Sequence, residues 1–268
     1  MLFGRAEHEL EAGNADRAVN EATKARRLVR TLSAGERGEL EPEVLVLLAD
    51  CLIEAGRARE ALPVYGEMRS LYPADAEVDS LEAVARFHLW QFEQALQLLD
   101  QYDRNAGASA LSLYYRSLVL EFCNQRAEAE LFFKQAADLD RESFAAPVRL
   151  SEAEVEQLVH EVIESLPDDV QSALHNVNIS VVPLPDRKLH ATEIDPLTLG
   201  VYSGTDLLSA SYLDGQPSLN RIEIFQRNIE RIASDRDEVK EELRITLLHE
   251  IGHHLGWDED DLEERGLA

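Results

Sequence analysis

Small and bulky apolar residues recur at a fixed spacing along the first half of the chain. Between Glu43 and Arg141, three segments align with a period of 34 residues. Each segment has an alanine, a bulky apolar residue four positions later and a small residue twelve positions earlier. These residues are Ala61, Ala95 and Ala129; Tyr65, Leu99 and Phe133; and Ala49, Ala83 and Ser117. A period of this length is typical of repeat proteins, in which stacked units bury a continuous core.

The first segment also has a glycine and a proline where a helical hairpin would turn and end. Gly56 would form the turn, and Pro73 would close the second helix. Together with the repeated apolar positions, this pattern resembles the tetratricopeptide repeat, a pair of antiparallel helices packed through small and bulky residues. A weaker unit runs from Leu2 to about Arg30 but is out of register by nine residues. We expect the segment SAGERGELEPE to form a long loop that contains this surplus.

The repeat register predicts which side chains line the inner face of the resulting superhelix. They are Val46, Asp50, Ile53, Glu54, Val84, Phe87, His88, Tyr114, Leu118 and Phe122. Contiguous apolar patches on a surface usually mark contact sites. We therefore expect this face to be covered, either by an external peptide or by the second domain of this chain. His88 would contact such a partner, although a single helical histidine is more often structural.

The repeat pattern stops at Pro147. Ser151 and Glu154 then form a capping box at the start of a new helix, which we expect to end before Pro167. The sequence therefore predicts a helical repeat domain of about three to four repeats over residues 1–147 and a second domain over residues 148–268.

The second domain contains strands as well as helices. The segment VNISVVP, from Val177 to Pro183, alternates with a period of two and predicts a strand. The segments LGVYSG and RIEIFQR predict two more short strands, and one of the strands, with RIEIFQR as the candidate, would add an extended peptide by edge pairing. The expected fold class is therefore multidomain, with an all-α superhelix of helical hairpins followed by a small α+β domain.

The last long helix is predicted to begin near Asp235. An apolar residue recurs at every fourth position, which gives a stripe that would bury the helix against the strands. The stripe consists of Val239, Leu243, Leu247, Ile251 and Leu255. His249 and His253 stand together beside it on one face of the helix. Gly256 then provides a left-handed helix end.

Composition narrows the possible partners and the compartment. The chain has 26 basic and 52 acidic residues, a net charge of -26, which repels nucleic acids and anionic membranes. The two cysteines, Cys51 and Cys123, have no metal-ligand spacing, so we expect both to be buried in a reducing compartment. Early charges at Arg5 and Glu7 do not fit a signal peptide, and no apolar run reaches membrane-span length. We expect a soluble, cytoplasmic protein.

The candidate chemistry lies in the segment LLHEIGHHLGWDED, which contains the pattern His249-Glu250-x-x-His253. Two imidazoles four positions apart on a helix can hold one zinc ion at about 2.0–2.1 Å. The adjacent Glu250 would take a proton from a water bound to the metal, which is the chemistry of a general base. The alternative is a helix end whose dipole favours solvated histidines.

A catalytic zinc usually has three protein ligands. No histidine follows His254, which leaves the acidic run after Gly256. Glu259, three positions after this glycine, occupies the place of the third ligand in longer zinc motifs. Asp258 and Asp260 remain alternatives.

Several segments occur in the order found in one family of bacterial enzymes. They are VEQLVHEVIESLPDDV, LGVYSG, RIEIFQRNIER and TLLHEIGHHLGWDEDDLEERG. This set resembles the minimal-zincin metallopeptidase-like family from about Ser151 to Ala268. The resemblance implies a compact α+β fold, with the histidine-bearing helix on a small sheet and a third zinc ligand just after the glycine. The family usually has aspartate at this place, where the present chain has Glu259.

Two further residues have competing interpretations. His254 lies about 140° round the helix from His249, so we expect it to support the site from behind or to lie on the surface. Tyr202, in LGVYSG, would either donate a hydrogen bond to a developing oxyanion or pack across the strands.

The leading hypothesis is a zinc-dependent peptidase or amidohydrolase with a tetratricopeptide domain that recruits a protein partner or a peptide substrate. The alternative is an interaction scaffold whose zinc site is structural or catalytically silent. Glu250 favours the enzyme, because a structural site does not need it. The many nearby acids favour the scaffold, because one of them would fill the fourth position on the metal.

Overall fold

The computed structural model describes residues 3–192, 194–204 and 220–267. The chain divides into two compact units, Met1–Phe144 and Ala145–Ala268. No helix in the described ranges is long and apolar enough to cross a membrane.

Antiparallel helical hairpins make up the first unit. Its helices are α1 (Phe3–Glu11), α2 (Ala15–Val29), α3 (Ala34–Glu54), α4 (Ala58–Leu71), α5 (Glu77–His88), α6 (Phe92–Ala106), α7 (Ala110–Phe122) and α8 (Arg126–Leu139). Each odd-numbered helix packs against the next one along the chain. This arrangement confirms the predicted all-α architecture of the N-terminal part.

Three of these hairpins repeat in register. Their first helices end at Glu54, His88 and Phe122, and their second helices begin at Ala58, Phe92 and Arg126, so both landmarks recur every 34 residues. The turns repeat as well, because Gly56, Trp90 and Asn124 all have left-handed backbone conformations, with φ of 68°, 60° and 59°. All nine residues of the repeat pattern are buried, and none of them is more than 1% exposed.

The predicted long loop between the first two hairpins is wrong. The segment SAGERGELEPE instead extends α3, which has 21 residues where α5 has 12. Ser33 starts this extension with a capping box, in which its Oγ donates to Glu36 Oε2 at 2.6 Å. Val44, on the same helix, packs into a cluster with Ala25 and Val29 of α2. Capping and tertiary packing thus outweigh the low helix propensity of the glycines.

The second unit combines helices with a three-stranded sheet. Its elements are α9 (Glu152–Ser165), α10 (Asp168–Ala173), β1 (Val177–Val182), β2 (Gly200–Ser203), β3 (Asn220–Phe225), α11 (Gln226–Ile232), α12 (Arg236–Leu255) and α13 (Glu259–Glu264), with short 3-10 turns at Leu174–Asn176 and Arg187–Thr192. The predicted capping box at Ser151 is present at the start of α9. The predicted strands and the α+β class are confirmed.

The order of strands in the described sheet is β1-β3-β2. β3 pairs in parallel with β1 and antiparallel with β2. The choice of RIEIFQR as the strand that adds a peptide by edge pairing is therefore wrong, because β3 is the central strand and both of its edges are already paired.

The apolar stripe of α12 packs on the sheet as predicted. Val239, Leu243, Leu247 and Ile251 are at most 2% exposed and share a core cluster with Ile222 and Ile224 of β3. Each such side chain contributes about 1.5–3 kcal/mol by leaving water. Asp235 caps the start of α12, and Gly256, with φ of 91°, ends it. The helix is thus fixed at both ends and along its length, which holds its histidine-bearing face in place.

Candidate metal centre

Three predicted metal ligands come together at the end of α12. The Nε2 atoms of His249 and His253 are 2.9 Å apart. Glu259, the first residue of α13, has Oε1 3.5 Å from Nε2 of His253. The candidate ligand atoms of all three residues lie within 4.8 Å of one another. The short turn between α12 and α13 therefore brings a carboxylate to the imidazole pair.

The Nδ1 atoms of His249 and His253 indicate which tautomer each ring adopts. His249 Nδ1 is 2.6 Å from the carbonyl oxygen of Leu267, and His253 Nδ1 is 3.3 Å from that of Trp257. A carbonyl oxygen only accepts, so Nδ1 carries the proton in both rings. In the neutral rings, both Nε2 lone pairs then face each other, an arrangement that needs a proton or a metal cation between them. This donor set fits zinc, which binds neutral imidazole and carboxylate.

Glu250 lies beside the pair with only 6% of its surface exposed. Burial, with a smaller contribution from the negative charge of Glu259, raises its pKa to about 7, while His249 and the backbone N–H of Tyr202 act in the opposite direction. A carboxylate with a pKa in this range can take up and release a proton near neutral pH.

The strand β2 comes close to Glu250 at a residue that the sequence did not single out. A Cβ added to Gly200 would lie 2.9 Å from Oε1 of Glu250 and 2.9 Å from Cγ2 of Thr246. Only glycine fits such an approach without a shift of these side chains or of one of the two elements. Gly200, the second residue of LGVYSG, was the available signal for this contact.

A cavity of about 650 Å³ opens over the cluster. Its walls are residues of β2 on one side and the end of α12 with the following turn on the other. The lining residues are Gly200, Val201, Tyr202, Gly204, His249, Glu250, His253, Gly256, Trp257 and Asp258. This volume is in the range of small-molecule and cofactor sites.

Residues 174–267 match a family model described as zincin-like metallopeptidase. The matched zincin-like region includes the whole described sheet, α11 to α13 and every residue of the candidate cluster. A search of curated proteins finds no match to the chain.

The two alternative third ligands lie differently from Glu259. The carboxylate of Asp258 accepts a hydrogen bond from the backbone N–H of Asp261 at 2.9 Å and so caps α13. Within the ranges that the structure describes, Asp260 does not join His249 and His253 in a cluster of possible ligands. The geometry thus brings Glu259, rather than these two aspartates, to the histidines.

His254 makes its contacts away from the candidate metal ligands. It is 1% exposed, with Nε2 3.3 Å from the carbonyl oxygen of Ala173 and Nδ1 3.3 Å from Oη of Tyr202. The hydroxyl of Tyr202 also donates to Oδ1 of Asn220 at 3.2 Å. Tyr202 therefore borders the cavity while its hydroxyl is engaged with two buried or half-buried neighbours.

The predicted inner-face residues of the first unit fall into two groups. Phe87 and Leu118 are completely buried. Phe87 packs in an aromatic cluster with ring centroids 5.5 Å from Phe92 and 5.9 Å from Phe122. His88 and the other apolar positions are half-buried, namely Val46, Ile53, Val84, Tyr114 and Phe122.

One prediction about the cysteines is also wrong. Cys51 is buried as expected, but Cys123 is exposed. Cys123 immediately follows the last residue of α7, where the chain enters the turn before α8, and this position removes it from the core.

Proposed function

We propose that the zincin-like region is a zinc-dependent peptidase or amidohydrolase. His249, His253 and Glu259 hold the metal, and Glu250 acts as general base. The main support is the pair of Nε2 atoms that face each other at 2.9 Å while both Nδ1 atoms are directed at carbonyl oxygens. The buried carboxylate of Glu250 stands next to this pair, in the wall of the cavity.

The chemistry divides between the metal and the chain. When bound, zinc would lower the pKa of a coordinated water to about 7 and polarise the carbonyl of the substrate. The Glu250 carboxylate accepts a proton at its Oε atoms and later passes it to the leaving nitrogen. Burial of this carboxylate, which raises its pKa to about 7, suits both halves of that transfer.

The ligand count supports an enzyme over a scaffold with a closed zinc site. A structural zinc usually has four protein ligands, whereas a catalytic zinc has three and keeps one position open. Among the described residues, the cluster that includes the two histidines consists of three side chains. An open position next to the cavity would be available to water and to a substrate carbonyl.

An extended peptide is the substrate class that the cavity favours. β2 is one of the two outer strands of the described sheet, and its residues Gly200, Val201 and Tyr202 line the cavity. Backbone groups on an outer strand can pair with an added peptide strand. Such a peptide would lie across the candidate ligands.

The proposal is tested on the purified full chain. We expect about one zinc per chain by mass spectrometry, loss of zinc in His249→Ala, and cleavage of members of a peptide library. Glu250→Gln should keep the zinc and slow hydrolysis by about 10²–10⁴-fold, the usual contribution of a general base. A zinc-loaded chain that cleaves no peptide, or a Glu250→Gln variant with full activity, would favour the scaffold.

We also propose that the first unit consists of tetratricopeptide-type repeats and recruits a protein partner or substrate. Support comes from the 34-residue recurrence of helix ends and left-handed turn residues. If this is correct, the Glu250→Gln variant should trap a protein substrate. Ile53→Glu combined with Tyr114→Ala in the active chain should then raise the KM for that substrate. Hydrolysis of a short peptide should not change, and a parallel loss of both activities would contradict recruitment.

A further inference from the structure

Each candidate histidine ligand forms a hydrogen bond, through Nδ1, with a backbone carbonyl of a helix-ending turn, and the two turns are of the same type. α12 ends in a turn in which Gly256 has φ of 91°. The N–H of Gly256 donates to the carbonyl oxygen of His253 at 3.0 Å, and the N–H of Trp257 donates to that of Gly252 at 3.0 Å. This pair of hydrogen bonds, closed by a left-handed glycine, is the Schellman motif.

α13 ends in the same way. Gly266 has φ of 69°, and its N–H donates to the carbonyl oxygen of Glu263 at 3.0 Å. The N–H of Leu267 donates to the carbonyl oxygen of Leu262, also at 3.0 Å. The bonding pattern is that of the turn after α12.

In both turns, the residue after the glycine directs its carbonyl oxygen at a histidine. The carbonyl of Trp257 faces His253 Nδ1 at 3.3 Å, and the carbonyl of Leu267 faces His249 Nδ1 at 2.6 Å. A left-handed glycine reverses the chain, so the carbonyl that follows it can point back at the helix it has just left or at a neighbouring one. The second turn crosses from α13 to α12 in this way.

We propose that Gly266 and Leu267 are positioning residues for the metal at His249. Their turn places a backbone acceptor on Nδ1, which holds the ring in the tautomer and orientation in which Nε2 faces His253 and Glu259. This inference rests on the proposed metal site for its effect on zinc affinity. The tautomer of His249 is a property of the chain alone and is measured without metal.

Gly266 is well suited to such a role and to a test of it. A Cβ added there meets nothing within 4 Å, so Gly266→Ala changes only the backbone preference of the turn. Removal of the acceptor on a ligand histidine typically weakens metal binding by about 10–100-fold. A helix end without this role would affect the stability of α13 but not the tautomer of His249.

The first unit provides a matched control. Gly56 ends α3 with φ of 68°, and a Cβ there also meets nothing within 4 Å. Its N–H donates to the carbonyl oxygen of Ile53 at 2.9 Å, and the N–H of Arg57 donates to that of Leu52 at 2.7 Å. Gly56→Ala therefore disrupts the same motif at a turn that is outside the candidate site.

The experiment compares the intact chain with a chain that ends at Gly266 and one that ends at Leu267. Nitrogen-15 NMR of the imidazoles in metal-free protein reports the tautomer, and competition with a chromophoric chelator reports the zinc affinity. We expect the intact chain and the chain that ends at Leu267 to keep His249 protonated at Nδ1. The chain that ends at Gly266 should lose this preference and bind zinc about 10–100-fold more weakly. Gly266→Ala should shift both readouts in the same direction by less, and Gly56→Ala should shift neither.

Two results would overturn the inference. One is an unchanged His249 tautomer in the chain that ends at Gly266, and the other is zinc affinity within twofold of the intact chain in both Gly266→Ala and that shortened chain. Amide spectra of each variant show whether the second unit is folded, and Gly266→Ala decides the question if the shortened chain is not. If the intact chain binds no zinc, the proposed function fails, while the tautomer comparison still decides on the positioning role.

Discussion

Gly252 of α12 and Leu262 of α13 touch so closely that there is room only for hydrogen on Gly252. A Cβ at this position would lie 2.6 Å from Cδ2 of Leu262 and 2.8 Å from Cε3 of Trp257. Leu262 is completely buried. The contact therefore fixes the distance between the helix that carries the two histidines and the helix that carries Glu259.

Gly252→Ala should force α13 away from α12. We expect the free energy of unfolding of the second unit to fall by about 1–3 kcal/mol, the usual cost of overpacking. Zinc affinity should fall as well, because Glu259 moves away from the histidines. Chemical denaturation and chelator competition measure the two effects.

Gly66→Ala is the control for this substitution. Gly66 lies inside α4, and an added Cβ meets nothing within 4 Å. This variant should stabilise the first unit by about 0.5–1 kcal/mol, since alanine is the better helix residue. If Gly252→Ala leaves both the free energy of unfolding and the zinc affinity unchanged, this contact does not determine the distance between α12 and α13.

Glu230 should be a major determinant of stability in the second unit. It is 1% exposed, its Oε1 accepts from the backbone N–H of Leu150 at 2.8 Å, and its Oε2 accepts from Arg149 at 2.9 Å. Glu230→Ala leaves these donors without the carboxylate, so we expect a loss of about 3–5 kcal/mol in the free energy of unfolding. Thermal and urea unfolding test this value.

Two variants bracket the Glu230 prediction. Glu230→Gln retains one acceptor oxygen and should lose less stability than Glu230→Ala. Glu241→Ala removes an exposed ion pair with Arg244, whose atoms are 2.6 Å apart, and should cost under about 1 kcal/mol. Equal losses in Glu230→Ala and Glu241→Ala would contradict the buried role.

Asp50 should make the first unit less stable as the pH rises. Burial, and next the negative charge of Glu54, raises the pKa of Asp50 from 3.8 to about 6. The folded chain therefore binds this proton more tightly than the unfolded chain. The resulting stabilisation is complete below pH 4 and is lost as the pH rises through 6.

Asp50→Asn removes this titration. At pH 8 the variant should be more stable than the natural chain by about 2–3 kcal/mol, since one pKa unit is worth about 1.4 kcal/mol. The difference should disappear below pH 4. Asp138→Asn, at an exposed position of α8, is the control. Denaturation of the first unit at a series of pH values gives the comparison, and a difference independent of pH would refute it.

Tyr202→Phe should affect stability rather than hydrolysis. The Tyr202 hydroxyl lies 3.3 Å from Nδ1 of the buried His254 and 3.2 Å from Oδ1 of Asn220. Its loss should lower the free energy of unfolding by about 1–2 kcal/mol and leave zinc affinity unchanged. An oxyanion donor would instead show a fall of about 10²–10³ in kcat. Such a fall would restore the catalytic interpretation of Tyr202.

The sequence predicted most reliably the features that depend on the residue pattern within a single helix or repeat. The apolar stripe from Val239 to Leu255, with a residue at every fourth position, predicted α12, its buried face and the position of His249 and His253, because helical periodicity alone decides these features. The 34-residue period likewise predicted the buried positions of the hairpins. Neither result needs knowledge of distant contacts.

The remaining features depend on contacts that leave little trace in the sequence. The strand order that places β3 in the centre depends on how the chain crosses over, not on the composition of RIEIFQR. The partner of His249 is a backbone carbonyl, which every residue possesses, so nothing distinguishes Leu267 in advance. The extension of α3 was missed because Gly35 and Gly38 suggested a loop, while packing against α2 decided the outcome.

Mutation can also identify which acidic residue is the third metal ligand. Glu259 is 73% exposed at its side chain and has Oε1 3.5 Å from His253 Nε2. Glu259→Gln removes the charged donor and should weaken zinc binding more than tenfold, because the loss of a group that only supports a ligand already costs about 10–100-fold. The effect should be seen in chelator competition with the amide spectrum unchanged.

Asp258→Asn and Asp260→Asn complete the comparison. Asparagine keeps the cap that Asp258 provides to the N–H of Asp261, so α13 remains intact while the charge at residue 258 is lost. Both aspartate variants should bind zinc within about threefold of the natural chain, as expected for the loss of a nearby, screened charge. A larger loss in Asp258→Asn than in Glu259→Gln would assign Asp258 as the ligand, because the cap is present in both proteins and only the carboxylate differs.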